Sequence, residues 1–175
     1  MSFQLDTVDN RIAGLAGGPA EDAFVRVMDA DGYALGRKLF RFGLEKLPTE
    51  GAVVPTLTSL IRHAPDFVQV GGHMWEVQGC GQDRTFTFKQ EKLQALWSWF
   101  LLLNQDGRDL RFALYVQPDN IVYRSSFEHV LWACYEKGDF SEAVVDDKPG
   151  WRVHAQAFEW GQVTSLADTF RALKV

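Results

Sequence analysis

The stretch Pro65-Asp66-Phe67-Val68-Gln69-Val70-Gly71-Gly72-His73-Met74-Trp75-Glu76-Val77-Gln78 reads as two short strands about a glycine pair. Apolar and polar residues alternate on either side of Gly71-Gly72, which is a hairpin signal. An acid, Asp66, stands at the entry of the first strand, and a second, Glu76, stands in the next. Period-two geometry puts Glu76 and Gln78 on one face. Whether Asp66 joins them depends on the loop. A two-residue loop, Gly71-Gly72, pairs Asp66 with Val77 and turns it away. A three-residue loop, Gly71-Gly72-His73, pairs Val70 with Met74 and Asp66 with Gln78, and all three polar side chains share a face. Glycines supply the left-handed residue that such loops use, so a three-residue or other odd loop is expected.

Outward from the hairpin, the chain alternates helical and strand signals. Residues 1–18 carry few apolar side chains and read as an arm. Pro19 opens a helix in which Ala20, Phe24, Val27 and Met28 form an apolar stripe, closed by Asp31-Gly32. A strand is expected over 33–44, a loop over 47–54, and a short helix from Pro55 to near His63. Residues 79–83 read as a loop. The strongest helix covers 89–103, with Leu93, Leu96, Trp97 and Phe100 on one side. Strands follow at 110–116 and 121–123 about a Pro118-Asp119-Asn120 turn. Ser125 or Ser126 caps a helix that runs to Lys137 and stops at Gly138. A strand at 151–158 and a helix at 164–173 complete the reading. The class is α/β or α+β, with a central mixed sheet flanked by helices.

Composition narrows the classes further. The chain has 175 residues, 46% hydrophobic and 23% charged, which fits one globular domain and excludes disorder, collagen-like repeats and disulfide scaffolds. No apolar run reaches the roughly 18 residues of a membrane span. The N-terminus lacks a signal-peptide pattern. Cys80 and Cys134 fit free thiols, so a cytoplasmic location is expected. The net charge of −5 argues against a passive polyanion binder. It does not exclude an enzyme that concentrates positive charge locally, and Gly36-Arg37-Lys38-Leu39-Phe40-Arg41 is such a basic stretch. Residues 139–147 carry four acids and no base.

Two carboxylates on one face suit a hard divalent cation such as Mg²⁺. Such an ion acidifies a bound water and neutralises charge developing on a phosphodiester. The plainer alternative is that Asp66 ends a loop and Glu76 is a solvated strand residue. His63, His73, His129 and His154 show no zinc-ligand spacing. They read as surface or turn histidines, with His63 and His73 flanking the hairpin and His129 packing beside Trp132. Cys80 lacks a recognisable His–Asp partner for nucleophilic work. No phosphate-cradling glycine loop occurs. Trp97 and Trp99 lie roughly 200° apart on their helix. Either that helix is covered on both sides, or one tryptophan marks an interface, for instance of a homodimer.

Pro65-Asp66 followed by Glu76-Val77-Gln78 resembles the motif of the PD-(D/E)xK nuclease superfamily, which has the restriction-endonuclease-like fold. Glu21, in Ala20-Glu21-Asp22-Ala23-Phe24, resembles the acid on that superfamily's preceding helix. The resemblance implies a nuclease-like core over 19–137, with 138–175 an embellishment packed on it. It implies that Asp66 and Glu76 bind Mg²⁺ or Mn²⁺, that the Val77 carbonyl completes the shell, and that Glu21 serves a second ion or a metal-bound water. The sequence departs from the motif at Gln78, where the superfamily has lysine. Lys89 is the candidate replacement, with Lys92 one turn on; Gln78 and Lys89 would assist the attacking water. Arg37, Lys38 and Arg41 would contact the phosphate backbone of DNA, setting affinity without reading sequence. The implied activity is a metal-dependent DNA endonuclease, structure-directed at junctions or in repair, or restriction-like. The alternatives are a non-cutting binding or inhibitor module of the same fold, and an α+β domain in which the motif is coincidence.

Overall fold

The computed structural model describes residues 18–42, 59–140, 144–145 and 148–159. Residues 1–17 of the arm expected over 1–18, the loop at 47–54, the helix start at Pro55, part of the acidic run at 139–147 and the helix at 164–173 lie outside the described residues. Among the described residues no helix is long and apolar enough to cross a membrane.

Helix α1 (Pro19–Ala30) starts with proline at its first turn, as expected. Strand β1 (Leu39–Arg41), the short helix α2 (Ser59–Arg62), β2 (Phe67–Gln69) and β3 (Met74–Cys80) follow. Next come β4 (Thr85–Lys89), α3 (Gln90–Gln105), β5 (Leu110–Val116) and β6 (Ile121–Ser126). Helix α4 (Phe127–Trp132) continues as a π-helical turn over Ala133–Lys137. Ser126 caps it by accepting from His129 N, which decides between the two serines. Strands β7 (Val144–Val145) and β8 (Lys148–His154) and a helical turn, α5 (Gln156–Glu159), close the described chain.

The main sheet has the order β1-β2-β3-β5-β6. Only β3 and β5 are parallel, and the other pairs are antiparallel, so the sheet is mixed. Helix α1 covers one face, burying Phe24 and Met28 against Leu39, Phe67, Trp75, Val77 and Ala113. Helix α3 covers the other, burying Leu93, Leu96 and Phe100 with Met74, Phe112 and Leu114. A second sheet, β4-β8-β7, packs on this same side through Phe86 and Phe88.

Four expectations need correction. Among the described residues, the strand expected over 33–44 is Leu39–Arg41, because the backbone before it winds into a turn. Arg37, Lys38 and Leu39 all donate to Ala34 O there, and Gly36 has φ +76°. The loop expected over 79–83 begins two residues late. Gly79 and Cys80 continue β3 because the parallel ladder with β5 extends to Cys80↔Val116. Lys89, expected to open the helix, instead ends a strand, Thr85–Lys89, that pairs with β8 and whose other residues the sequence reading leaves unassigned. The strand expected over 151–158 is displaced to Lys148–His154, and Gln156–Glu159 coils into a helical turn.

The hairpin has the expected parity in a different register. Gln69 N donates to His73 O at 2.8 Å and Gly72 N to Gln69 O at 2.9 Å, so the loop is Val70-Gly71-Gly72. The ladder pairs Phe67 with Trp75 and Val68 with Met74, rather than Val70 with Met74. Both glycines have positive φ. A Cβ on Gly72 would also meet Arg108 at 2.5 Å, so the three-residue turn needs glycine there.

Candidate functional site

Three elements bring the motif residues together. Strand β3 carries Glu76 and Gln78 on the face under α3, beside Met74 and opposite their register partners Phe112 and Leu114. Asp66 sits just before β2, and the even hairpin parity places it toward Glu76. Its Oδ2 accepts from Val77 N at 2.7 Å, and its own carbonyl accepts from Phe42 N at 2.8 Å. Those two bonds hold Asp66 from both sides. In an extended strand the N–H and C=O of one residue point to the same lateral side. The Val77 carbonyl therefore also lies on the Asp66 side of β3.

Helix α3 supplies the cation. Lys92 Nζ lies 2.6 Å from Glu76 Oε1, and Gln78 Nε2 donates to the same oxygen at 3.0 Å. Glu76 is 0% exposed and Lys92 9%. A buried carboxylate is tolerable only with such partners. The lysine set against Glu76 is thus Lys92, one turn into the helix. Lys89 is the last residue of β4 and pairs with Gly150 in the second sheet. The helix begins after it, because the β4–β8 ladder holds Lys89 extended, with φ −65° and ψ 138°.

Burial is the first cause that pushes the Asp66 carboxyl well above its ordinary range, and the neighbouring charge of Glu76 is the second. Lys92 and the Val77 N–H act the other way, and Glu21 adds a weaker upward push. Asp66, Glu76 and Lys92 therefore form one electrostatic unit.

Glu21 approaches from the opposite side of the sheet. Its helix docks where Gly79 presents no side chain: a Cβ there would come within 2.9 Å of Ala20 Cβ. Arg41 Nη1 donates to Glu21 Oε2 at 2.6 Å, and the Arg41 guanidinium lies 4.9 Å from the Phe67 ring centroid. Arg41 is thus engaged by an acid, whereas Arg37 and Lys38 stand exposed on the turn before β1. Among the described residues, no three His, Cys, Asp or Glu side chains converge closely enough to hold a metal ion. Glu21 is therefore not gathered into one cage with Asp66 and Glu76. The pair alone still suits Mg²⁺ or Mn²⁺: two hard oxygen donors, mutually repelling, one with raised proton affinity. Mg²⁺ asks for only one or two carboxylates and keeps waters for the rest.

The remaining candidates have structural places. His129 is buried, with its ring 5.1 Å from Trp132 and 5.2 Å from Phe158, and its Nε2 2.9 Å from Ala157 O. His63 is buried 3.5 Å from Glu91. Cys80 and Cys134 are free, buried thiols, and burial pushes Cys134 up to about 12. Both tryptophans of α3 find partners within the chain. Trp97 stacks on Phe100, and Trp99 meets Phe42 edge-on and donates to Leu60 O at 2.9 Å. What sequence reading missed was the strand at Thr85-Phe86-Thr87-Phe88-Lys89, whose strict alternation was the available signal.

No model of a known protein family matches the chain, and a comparison with curated proteins finds no match. The functional reading accordingly rests on the site.

Proposed function

We propose that this chain is a Mg²⁺- or Mn²⁺-dependent DNA endonuclease with PD-(D/E)xK-type chemistry on a restriction-endonuclease-like core. One observation carries the reading: Asp66, Glu76 and Lys92 meet on one sheet face, with Lys92 2.6 Å from Glu76. This is the acid, acid and lysine combination, with the lysine supplied by the helix and Gln78 occupying the strand position.

Asp66 and Glu76 would hold the ion, with the Val77 carbonyl beside them. A bound divalent ion supplies an acidified water and neutralises charge on the scissile phosphate. Lys92 would orient the attacking water and offset the charge of the paired acids. Gln78 fixes the Glu76 carboxylate through its 3.0 Å hydrogen bond. Arg37 and Lys38, exposed on the turn before β1, would meet the phosphate backbone.

A second reading has its own support. Glu76 is fully buried and already neutralised by Lys92, which suits a non-cutting module whose acid–lysine pair serves the core. Cleavage of plasmid, branched and single-stranded DNA with Mg²⁺ or Mn²⁺ separates the two. The nuclease reading expects metal-dependent cutting that falls at least about a hundredfold in Asp66→Ala, Glu76→Gln and Lys92→Met, with circular dichroism confirming that each variant is folded. No cutting of any substrate by wild type would overturn it. DNA binding without cutting would favour the binding module.

A further inference from the structure

On the sheet face opposite Glu76, a cleft of about 440 Å³ opens beside α1, lined by Gln69, Trp75, Asp109, Arg111, Arg124 and Ser126 among others. That volume lies within the range of small-ligand sites, roughly 300–1,000 Å³. Its two cations come from adjacent strands. Arg111 on β5 pairs in register with Ser126 on β6, and Ala113 pairs with Arg124. Arg111 and Arg124 are therefore diagonal neighbours on one face, with Ser126 between them, at a spacing of about 7–8 Å.

Each arginine is held in place at one point. Arg111 Nε donates to Asp109 Oδ2 at 3.1 Å, and its guanidinium lies 5.6 Å from the Trp75 ring centroid. Trp75 is in turn fixed by donating to the buried Gln69 Oε1 at 2.9 Å. Arg124 Nη1 donates to Asp31 and also reaches Met28 Sδ at 4.0 Å. Among the described residues the remaining guanidinium N–H groups of both make no other hydrogen bond. Each guanidinium carries five N–H donors in a rigid fork.

We propose that this cleft binds a phosphomonoester, with the phosphate seated between Arg111 and Arg124 over Ser126. The assignment is independent of the nuclease reading, since it uses other residues on the other face. The chemistry selects phosphate over carboxylate. Asp109 and Asp31 leave N–H donors free on both forks, and a planar carboxylate seated on one fork leaves the other fork's donors unused. A tetrahedral dianion presents oxygens to both forks at once. The phosphate can belong to a free mononucleotide or to the end of a nucleic-acid strand.

The test is calorimetry on the full chain with inorganic phosphate, a nucleoside monophosphate, and one oligonucleotide with and without a terminal phosphate, with acetate as control. Saturable binding of phosphate and of the nucleotide, but not of acetate, is expected. Arg111→Gln and Arg124→Gln should each weaken it by about tenfold or more. Preference for the phosphorylated oligonucleotide over its unphosphorylated twin would assign the site to strand ends. Equal binding of the two oligonucleotides, with the nucleotide bound, would assign it to free nucleotides. Asp109→Asn, which frees Arg111 from its anion without removing a cation, should tighten phosphate binding. No saturable phosphate binding by wild type would overturn the proposal, as would arginine variants that bind like wild type or an Asp109→Asn variant that binds more weakly. DNA cleavage without phosphate binding would leave the nuclease reading standing and this one refuted.

Discussion

Asp66 is the residue at which fold stability and the proposed chemistry conflict. Its carboxyl is raised by burial and by Glu76, so the folded protein holds that proton more tightly than the unfolded chain does. The sign follows. The contribution of protonated Asp66 to stability is complete below the ordinary value of 3.8 and is lost as pH rises through the higher folded value. Above that folded value an ionised Asp66 is therefore a strain on the fold, one that a divalent cation held as proposed would relieve. Asp66→Asn keeps an oxygen for Val77 N and removes the titration. Urea unfolding across the acid-to-neutral range should show the variant gaining on wild type as pH rises, and the gap should narrow when Mg²⁺ is added. A variant that tracks wild type at every pH would show that Asp66 does not titrate in this way. Residue identity alone made Asp66 and Glu76 visible as a pair. The choice of Lys92 over Lys89 was not visible, because it depends on where α3 starts, and the pairing of Lys89 with the distant Gly150 decides that.

At the scale of elements, the docking of α1 on β3 depends on one missing side chain. Gly79 lies under Ala20, and a Cβ there would sit 2.9 Å from the alanine methyl carbon. Gly79→Val should push α1 off the sheet, costing about 1–3 kcal/mol in chemical denaturation, as overpacking does. Ala20→Gly in the same chain should recover part of that loss, less the roughly 1 kcal/mol that glycine costs within a helix. No recovery would mean that the contact is not the cause. In the sequence Gly79 reads as a loop residue, since glycine weakens strands. The parallel ladder to β5 overrides that local preference. Glu21 depends on the same contact, because Ala20 is its neighbour on α1. The hairpin illustrates a partial success. Parity was readable from the glycine pair, and parity is all that Asp66 needs in order to face Glu76. The register, two residues tighter than expected, is set by β1 as well, through Val70 N donating to Lys38 O at 2.7 Å.

At the scale of the molecule, the described residues after Lys137 pair and pack with the rest of the chain. Strand β8 is central in the second sheet, pairing with β4 along Thr85–Lys89 and with β7. Phe86 and Phe88, which β8 holds in place, join Phe112 in the core beneath α3. Truncation after Lys137 should therefore expose those rings and unpair β4. The truncated chain is expected to lose its near-ultraviolet circular dichroism and to be cut rapidly by protease, where the full chain resists. A truncated chain that folds cooperatively would make 19–137 an independent unit.

The sequence by itself determined the class of the fold, because hydrophobic periodicity and glycine or proline punctuation are local signals. It placed α1, α3, β5 and the start of β6 close to where they stand, and it narrowed the cap to Ser125 or Ser126 and picked out the hairpin and its two acids. Only the tertiary structure decided which lysine meets Glu76, which side Glu21 approaches from, how far β3 runs, and that Arg111 and Arg124 share a cleft. Each of these depends on pairing between segments distant in the chain. Register and crossing contacts, not residue preference, then choose among conformations that differ by little in local energy.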